Sequence, residues 1–376
     1  MSPVTVEAVT DPALLAPHQE RWAALAARAV EPNPFLAPWF HLPALRHLAS
    51  PANGVVTLLA WHGGRERELV GLMAVAHQRR SRRLPVSCLS TWRHPYCFLT
   101  TPLLDPDHAS EALAALLGWT HRRRAGRLLR LPRVNGDGPF ASLLADYLAE
   151  RGLAATRTGR VERPLYRHDG SAGVEAYLRQ VASGDRRRRL GRYRRRLERG
   201  GPLTTTVTTD PDGITPLADA FLALEARGWK GREGTAMGQE PRAAAFFREM
   251  VAEAAGGGGL LLLTLRLAGE PVAMRISLLC GEGGIAFKSA FDEVYASDSP
   301  GLLVEVDHLR HLLAHPEIRW IDSCAASANS PVTWLWPARR PVETLLLSTG
   351  DAVGDLVIRT LPLARRVVAA ARRLRS

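Results

Sequence analysis

The stretch from Phe287 to Pro341 constrains this chain more than any other: FKSAFDEVYASDSPGLLVEVDHLRHLLAHPEIRWIDSCAASANSPVTWLWPARRP. It reads as a strand ending in an acidic pair (Phe287 to Glu293), a loop closed by Ser-Pro-Gly, a helix from Leu302 to His315 and a second strand from Ile318 to Ser323. Pro300 suits a first helical turn, Asp298 and Ser299 can accept hydrogen bonds from its free N–H groups, and Gly301 leaves the backbone open to a ligand. Such a loop after a strand can seat a phosphate or pyrophosphate, because unpaired N–H groups and the positive end of the helix dipole face it. A capped helix with no ligand is the other reading of the same residues.

The chain has 376 residues, 46% hydrophobic and 23% charged, which is room for two ordinary domains with full cores and is not a disordered composition. Cys88, Cys97, Cys280 and Cys324 form no C-x-x-C pair, so a zinc knuckle or a disulfide framework is not expected and a reducing cytoplasm is. MSPVTVEAVTDPALL lacks a basic start before an apolar core, and no later run is long and charge-free enough to span a bilayer. The formal charge of +12 is almost wholly arginine and points to a polyanionic neighbour: CoA phosphates, nucleic acid or an anionic membrane face.

Periodicity predicts helices over Asp11 to Ala29 and Phe40 to Ala49, a hairpin of Val55–Trp61 and Glu68–Gln78, a strand at Val86–Trp92, a helix at Ala109–Arg124, a strand from Arg127 and a helix over Gly138–Arg151. The basic run at Arg79 to Leu84 carries no assigned chemistry. Pro and Gly in the stretch from Val161 to Gly173 suggest a boundary. Beyond it, Leu190, Tyr193 and Leu197 put an apolar stripe under an arginine-rich helix (Asp185 to Gly200), so this helix is read as part of the second domain rather than a nucleic-acid arm. A strand at Thr204–Thr209, helices at Pro216–Trp229 and Pro241–Ala255, a three-stranded meander and a last strand at Val342–Thr349 complete the pattern. In the tail, Leu356, Leu363, Val367 and Leu374 oppose Arg359, Arg365, Arg366, Arg372 and Arg373, a basic amphipathic helix suited to an anionic membrane surface or to packing on the domain.

Taken in order, GWKGREGTA (Gly228 to Ala236), AFFREM (Ala245 to Met250), LAGEPVAMRISL (Leu267 to Leu278), FKSAFDE, SPGLL and WIDSCA resemble the GNAT-type acyltransferases of the family linked to bacterial cellulose biosynthesis, relatives of the Fem peptidyltransferases in fold. The resemblance is continuous from about Tyr177 to Leu347 and fainter over Pro34 to Leu104. It implies an α/β (α+β) chain of two tandem GNAT-like mixed-sheet domains, 1–165 and a catalytic 166–350, followed by a basic tail helix over 351–376. It also implies acyl-CoA as co-substrate and an amine as acceptor, on a sugar, a lipid precursor such as a sphingoid base, or an envelope component. A Fem-like transfer from aminoacyl-tRNA and a non-catalytic GNAT-like module that binds membrane or polyanion are the alternatives. The expected setting is cytoplasmic, peripheral at the inner membrane face.

By the same resemblance the acyl donor lies at the end of the FKSAFDE strand and at Ser299, Gly301 and Leu302, although this loop departs from the Gln/Arg-x-x-Gly-x-Gly/Ala pattern of typical GNAT enzymes. The GWKG loop, with Trp229 and Lys230, faces the acceptor. Lys288 is read either as a substrate contact or as the partner of Asp322 in a buried ion pair. Asp292, Glu293 and Asp322 end neighbouring predicted strands and could converge on one cleft as candidate bases, with alternation turning only one of Asp292 and Glu293 inward. His308, His311 and His315 share a helix face with zinc-like spacing, but Leu302, Val306, Leu309 and Leu313 form the opposite face. The histidines are therefore expected in solvent, with no metal. Cys324 follows Asp322 with no assignable triad.

Overall fold

The computed structural model describes residues 4–50, 54–63, 67–78, 86–122, 126–325 and 332–361. The basic run at Arg79 to Leu84 and the tail beyond Leu361, including Leu363, Val367 and Leu374, lie outside these residues. The chain divides into two compact units, neither contiguous in sequence: residues 1–38, 49–161 and 341–376 form the first, and residues 39–48 and 162–340 the second.

In the first unit, α1 (Gln19–Arg28), β2 (Val56–His62), β3 (Glu68–Gln78), β4 (Cys88–Thr91), α3 (Ala109–Arg122), β6 (Leu128–Asn135) and α4 (Pro139–Glu150) follow the predicted order, and β1 (Thr5–Val9) and β5 (Leu103–Leu104) are strands that the sequence reading did not include. β7 (Ala155–Arg167) begins here and crosses the stretch whose Pro and Gly suggested a boundary. The strands are ordered β1-β2-β3-β4-β6, and β13 (Ala338–Ser348), from the far end of the chain, pairs antiparallel with β6. Aliphatic side chains of β2, β3 and β6 pack on α3 and α4 to form its core.

The second unit takes up α2 (Pro38–Leu48). Phe40 from this helix meets Phe246 and Phe287 edge-on at 5.3 and 5.9 Å. The unit continues through α5 (Val174–Val181), α6 (Gly184–Glu198), β8 (Leu203–Thr208), α7 (Ile214–Arg227), α8 (Trp229–Arg232), α9 (Pro241–Gly256), β9 (Leu260–Leu267), β10 (Glu270–Cys280), β11 (Gly283–Phe291), α10 (Pro300–Ala314), β12 (Trp320–Asp322) and α11 (Val332–Leu335). Its sheet is ordered β7-β12-β11-β10-β9-β8, with β11 and β12 parallel and the others antiparallel. The glycines after α9 stop that helix, as their setting before a strand predicts, and they also let an indole approach: a Cβ on Gly259 would lie 2.6 Å from Trp39 Cζ2.

The chain passes from the first unit to the second at 161/162, inside the stretch where Pro and Gly suggested a boundary, and two details go beyond the sequence reading. Pro164 does not break β7, because Leu165, Tyr166 and Arg167 still pair with β12 and the Pro164 carbonyl accepts the Ser323 N–H at 3.0 Å. In the tail, a helix spans 352–361, where Leu356 is exposed and the buried anchor is Ile358.

Candidate functional site

β11 pairs with β12 only through Gly283–Trp320, Gly284–Ile321 and Ile285–Asp322. Beyond Ile285 it runs on to Phe291, so its β12-facing edge has no strand partner among the described residues. The register between β10 and β11 slips at Ile276/Ser277, which sets Phe287 as an extra residue on β11, a bulge of the kind that bends a strand away from its neighbour. The strand pair therefore opens where α10 begins.

The α10 start differs in detail from its sequence reading. Ser299 is left-handed (φ 49°, ψ 54°) and makes no side-chain cap. Its carbonyl accepts the N–H groups of Leu302 and Leu303 at 2.9 and 3.1 Å, so the Leu302 N–H is already engaged. Asp298 turns instead to Arg196 of α6, with Nε 2.8 Å from Oδ1. Gly301 presents bare backbone, and a Cβ there would stand 3.1 Å from Phe291 Cδ1.

Phe291 also lines a cleft of about 140 Å³ between the end of α7, α8 and the end of β11, together with Glu225, Trp229, Lys230, Ser289 and Glu293. Trp229 is 48% exposed, so its ring is not part of the core. Gly231 is needed for α8 to fold back on α7, since a Cβ there would fall 1.7 Å from the Ala226 carbonyl oxygen. At the floor of the cleft Glu225 is buried, and its Oε1 accepts from Lys230 Nζ at 2.8 Å and Lys288 Nζ at 3.1 Å while Oε2 accepts the Met237 N–H at 2.9 Å. Burial raises the Glu225 pKa, but the two ammonium groups outweigh it and hold the carboxyl below its usual range. Lys288 is lowered by burial, which its attraction to Glu225 only partly offsets.

The three candidate carboxylates do not converge. Glu293 lines the cleft, where it accepts the Trp229 N–H at 2.6 Å and pairs with Arg232 at 2.7 Å, contacts that hold its pKa down. Asp292 accepts the Val294 N–H at 3.0 Å and so caps the turn that follows β11. Asp322 is fully buried, 3.3 Å from Arg163 and 3.7 Å from Arg340, and it accepts the Cys324 N–H at 2.8 Å. The expected Lys288–Asp322 pair is thus replaced by two separate ion clusters, because Lys288 reaches Glu225 and Asp322 is claimed by two arginines. Burial pushes the Cys324 thiol up, out of the thiolate range at neutral pH.

The histidine expectation is also corrected. His308 is fully buried, 3.2 Å from both Ser277 Oγ and Glu305 Oε1, with Glu305 paired to the buried Arg275 at 3.3 Å. α10 is covered by the sheet on one side and by α5 and α6 on the other, so its second face is not solvent. His311 and His315 stack on each other at 3.9 Å. Sequence reasoning also missed Glu225, although its position in register with Ala218, Phe221 and Leu222 on the buried stripe of α7 was the available signal.

Residues 184–329 match the family profile described as acetyltransferase (GNAT) domain. No curated protein sequence matches the chain. Among solved structures, FemX is similar over 91% of this chain and 96% of its own, with 10% identity and a TM-score of 0.56. The C-terminal domain of a putative lysylphosphatidylglycerol synthetase from Agrobacterium fabrum is similar over 93% of this chain and 96% of its own, with 13% identity and a TM-score of 0.51. A tandem GNAT protein from the clavulanic acid biosynthesis pathway aligns over 92% and 99%, at 17% identity and a TM-score of 0.47. The first two likenesses carry the fold alone. The strand, helix and strand around the opening at Ile285 and Asp322 lie within the residues, 184–329, that match the acetyltransferase (GNAT) domain profile.

Proposed function

We propose that this chain transfers an acyl group from acyl-CoA to an amine. The observation that carries this reading is the opening of β11 from β12 with the α10 start at its mouth. An unpaired strand edge can hydrogen-bond the amides of pantetheine, and a helix start with a bare Gly301 favours pyrophosphate. The acceptor amine enters the cleft between Trp229 and Glu293, separated from the donor seat by Phe291. Glu293 takes the proton released by the amine, while Asp292 and Asp322 position the ends of their strands. Acceptors of the expected kind are an amino sugar, a lipid precursor such as a sphingoid base, or an envelope amine. The exposed Val353 and Leu356 on the tail helix suit work at an anionic membrane face from the cytoplasm.

A second reading, transfer from aminoacyl-tRNA, is supported by the outward arginines of α6 (Arg188, Arg189, Arg192 and Arg195) and by the likeness in fold to FemX. Thermal unfolding with CoA and, separately, with charged tRNA tells the two apart. CoA should raise the melting temperature of the wild type and of Glu293→Gln but not of Gly301→Val, whose side chain meets Phe291, and Glu293→Gln should turn over at least about tenfold more slowly. Stabilisation by tRNA alone would replace the first reading with the second, and no response to either would leave a binding module.

A further inference from the structure

The first unit holds a cluster of metal-ligating side chains that the proposed acyl transfer does not use. His62 ends β2 and Glu68 begins β3, and the two oppose each other as a cross-strand pair at the turn end of the hairpin. His108 comes from the turn Pro106–His108 that leads into α3. One ligand atom from each of the three lies within 4.8 Å of the other two, and among the described residues no other group of three or more such side chains is so placed.

The backbone fixes His108 beside the hairpin. β5 pairs with β3 through Leu104–Gly71 and Leu103–Leu72, and the Asp105 N–H then donates to the Val70 carbonyl at 2.9 Å. Asp105 caps the turn by accepting the Asp107 N–H at 2.9 Å. The support behind is tight, since a Cβ on Gly71 of β3 would stand 3.1 Å from the Ala112 Cβ of α3. As a result the His62 and His108 rings stack, 4.1 Å between centroids and 26° between planes. Among the described residues no ring nitrogen of either histidine is taken by a hydrogen bond. Glu68 gives only one oxygen, Oε1, to Arg28 at 2.7 Å, and that guanidinium is shared with the buried Asp105 at 2.8 Å. Two carboxylates thus divide one arginine, and the Oε2 atom of Glu68 accepts no hydrogen bond among the described residues.

We infer that His62, Glu68 and His108 bind one divalent cation of the zinc type, which clips the turn end of the β2–β3 hairpin to the start of α3. Two imidazoles and a carboxylate suit zinc and its first-row neighbours, whereas calcium and magnesium favour all-oxygen sites. Ligand atoms on one tetrahedral zinc ion stand about 3.3 Å apart, so the three side chains need to draw together by no more than about 1.5 Å. Rotation about side-chain bonds supplies that movement. Water would complete the coordination.

The test uses the full-length protein, stripped with EDTA, exchanged into chelator-free buffer and titrated with zinc chloride by calorimetry. One zinc ion per chain should bind with a Kd of about 10 µM or tighter, and magnesium chloride should give no comparable binding. His62→Ala, His108→Ala and Glu68→Gln should each weaken zinc binding at least about tenfold. The fold of each variant is read separately, from the melting temperature of the metal-free protein. Zinc at about a hundred times its Kd should raise the melting temperature of the wild type more than that of His108→Ala. His311→Ala is the control, because His311 and His315 also stack, at 3.9 Å, and should leave the Kd unchanged. A wild-type Kd above about 100 µM, magnesium bound as tightly as zinc, a Kd unchanged in the three variants, or a loss in His311→Ala instead of in them would each overturn the inference.

Discussion

The two units differ in how deeply their ion pairs are buried. In the first, the buried Asp105 and Glu343 meet arginines that stay wet: Arg28 is 43% exposed and Arg157 is 54% exposed. The second also holds two pairs with both ends withdrawn from water, at 5% and 0% for Arg163 and Asp322 and at 8% and 5% for Arg275 and Glu305, beside a wetter one in which the buried Asp307 meets Arg310, itself 51% exposed. Much of the buried polar content of the first unit is neutral and ties loops to strands, as when Asn33 donates to the Thr101 carbonyl at 2.7 Å and accepts from the Phe35 N–H at 3.1 Å. A fully buried ion pair seldom stabilises a fold more than well-packed apolar side chains would. The second unit therefore keeps charges that its stability does not require, and they lie on the strands and helix that surround the β11–β12 opening.

The strongest way to break this contrast is Asp322→Asn, which leaves Arg163 and Arg340 buried without a counter-charge. It should cost about 3–5 kcal/mol in urea unfolding. A loss under about 1 kcal/mol would mean that water reaches these arginines and the contrast is false. Next, Asn33→Ala in the first unit removes the hydrogen bonds to the Thr101 carbonyl and from the Phe35 N–H, with a weaker one to the Leu99 carbonyl, and it should cost about 2 kcal/mol. A cost equal to that of Asp322→Asn would erase the distinction between neutral and ionic interiors.

The smallest effect is a pH slope. Burial pushes His41, in the second unit, down to about 3, and also lowers His308. Each stays neutral in the folded protein while its unfolded form gains a proton below about pH 6.5, so stability is full above that pH and falls as pH drops toward the folded value. His41→Gln should remove up to about 1.4 kcal/mol per pH unit of that fall, read as melting temperature between pH 6.5 and 5. An unchanged slope would place the acid sensitivity elsewhere.

Much of the fold was legible because its strands and helices carry strong periods: Glu68–Gln78 was bounded to the residue, and Pro241 was found as the start of α9. What sequence could not show was partnership across distance. The hydrophobic stripe of α10 suggested one solvent face, yet α6 covers it and His308 is interior. Lys288 and Asp322 looked like partners because both end up beside the same strands, but each was claimed by residues far along the chain, Glu225 in one case and Arg163 in the other. Of the proposed site residues, Trp229, Lys230 and Glu293 share one cleft, and Lys288 lies beneath it through Glu225. Asp322 belongs to another cluster.

The exchange of chain segments between the units sets a timetable for synthesis. The first unit lacks its β13 strand until residues beyond 341 have left the ribosome, although its other strands emerge at the start. For most of translation β6 thus has an open, leucine-rich edge, the kind of template that invites pairing between nascent chains. Residues 39–48 must likewise wait for the body of the second unit, with Phe40 and Trp39 uncovered meanwhile. Either half expressed alone would reproduce this unfinished state permanently, and a holding chaperone during expression would relieve it for the whole chain.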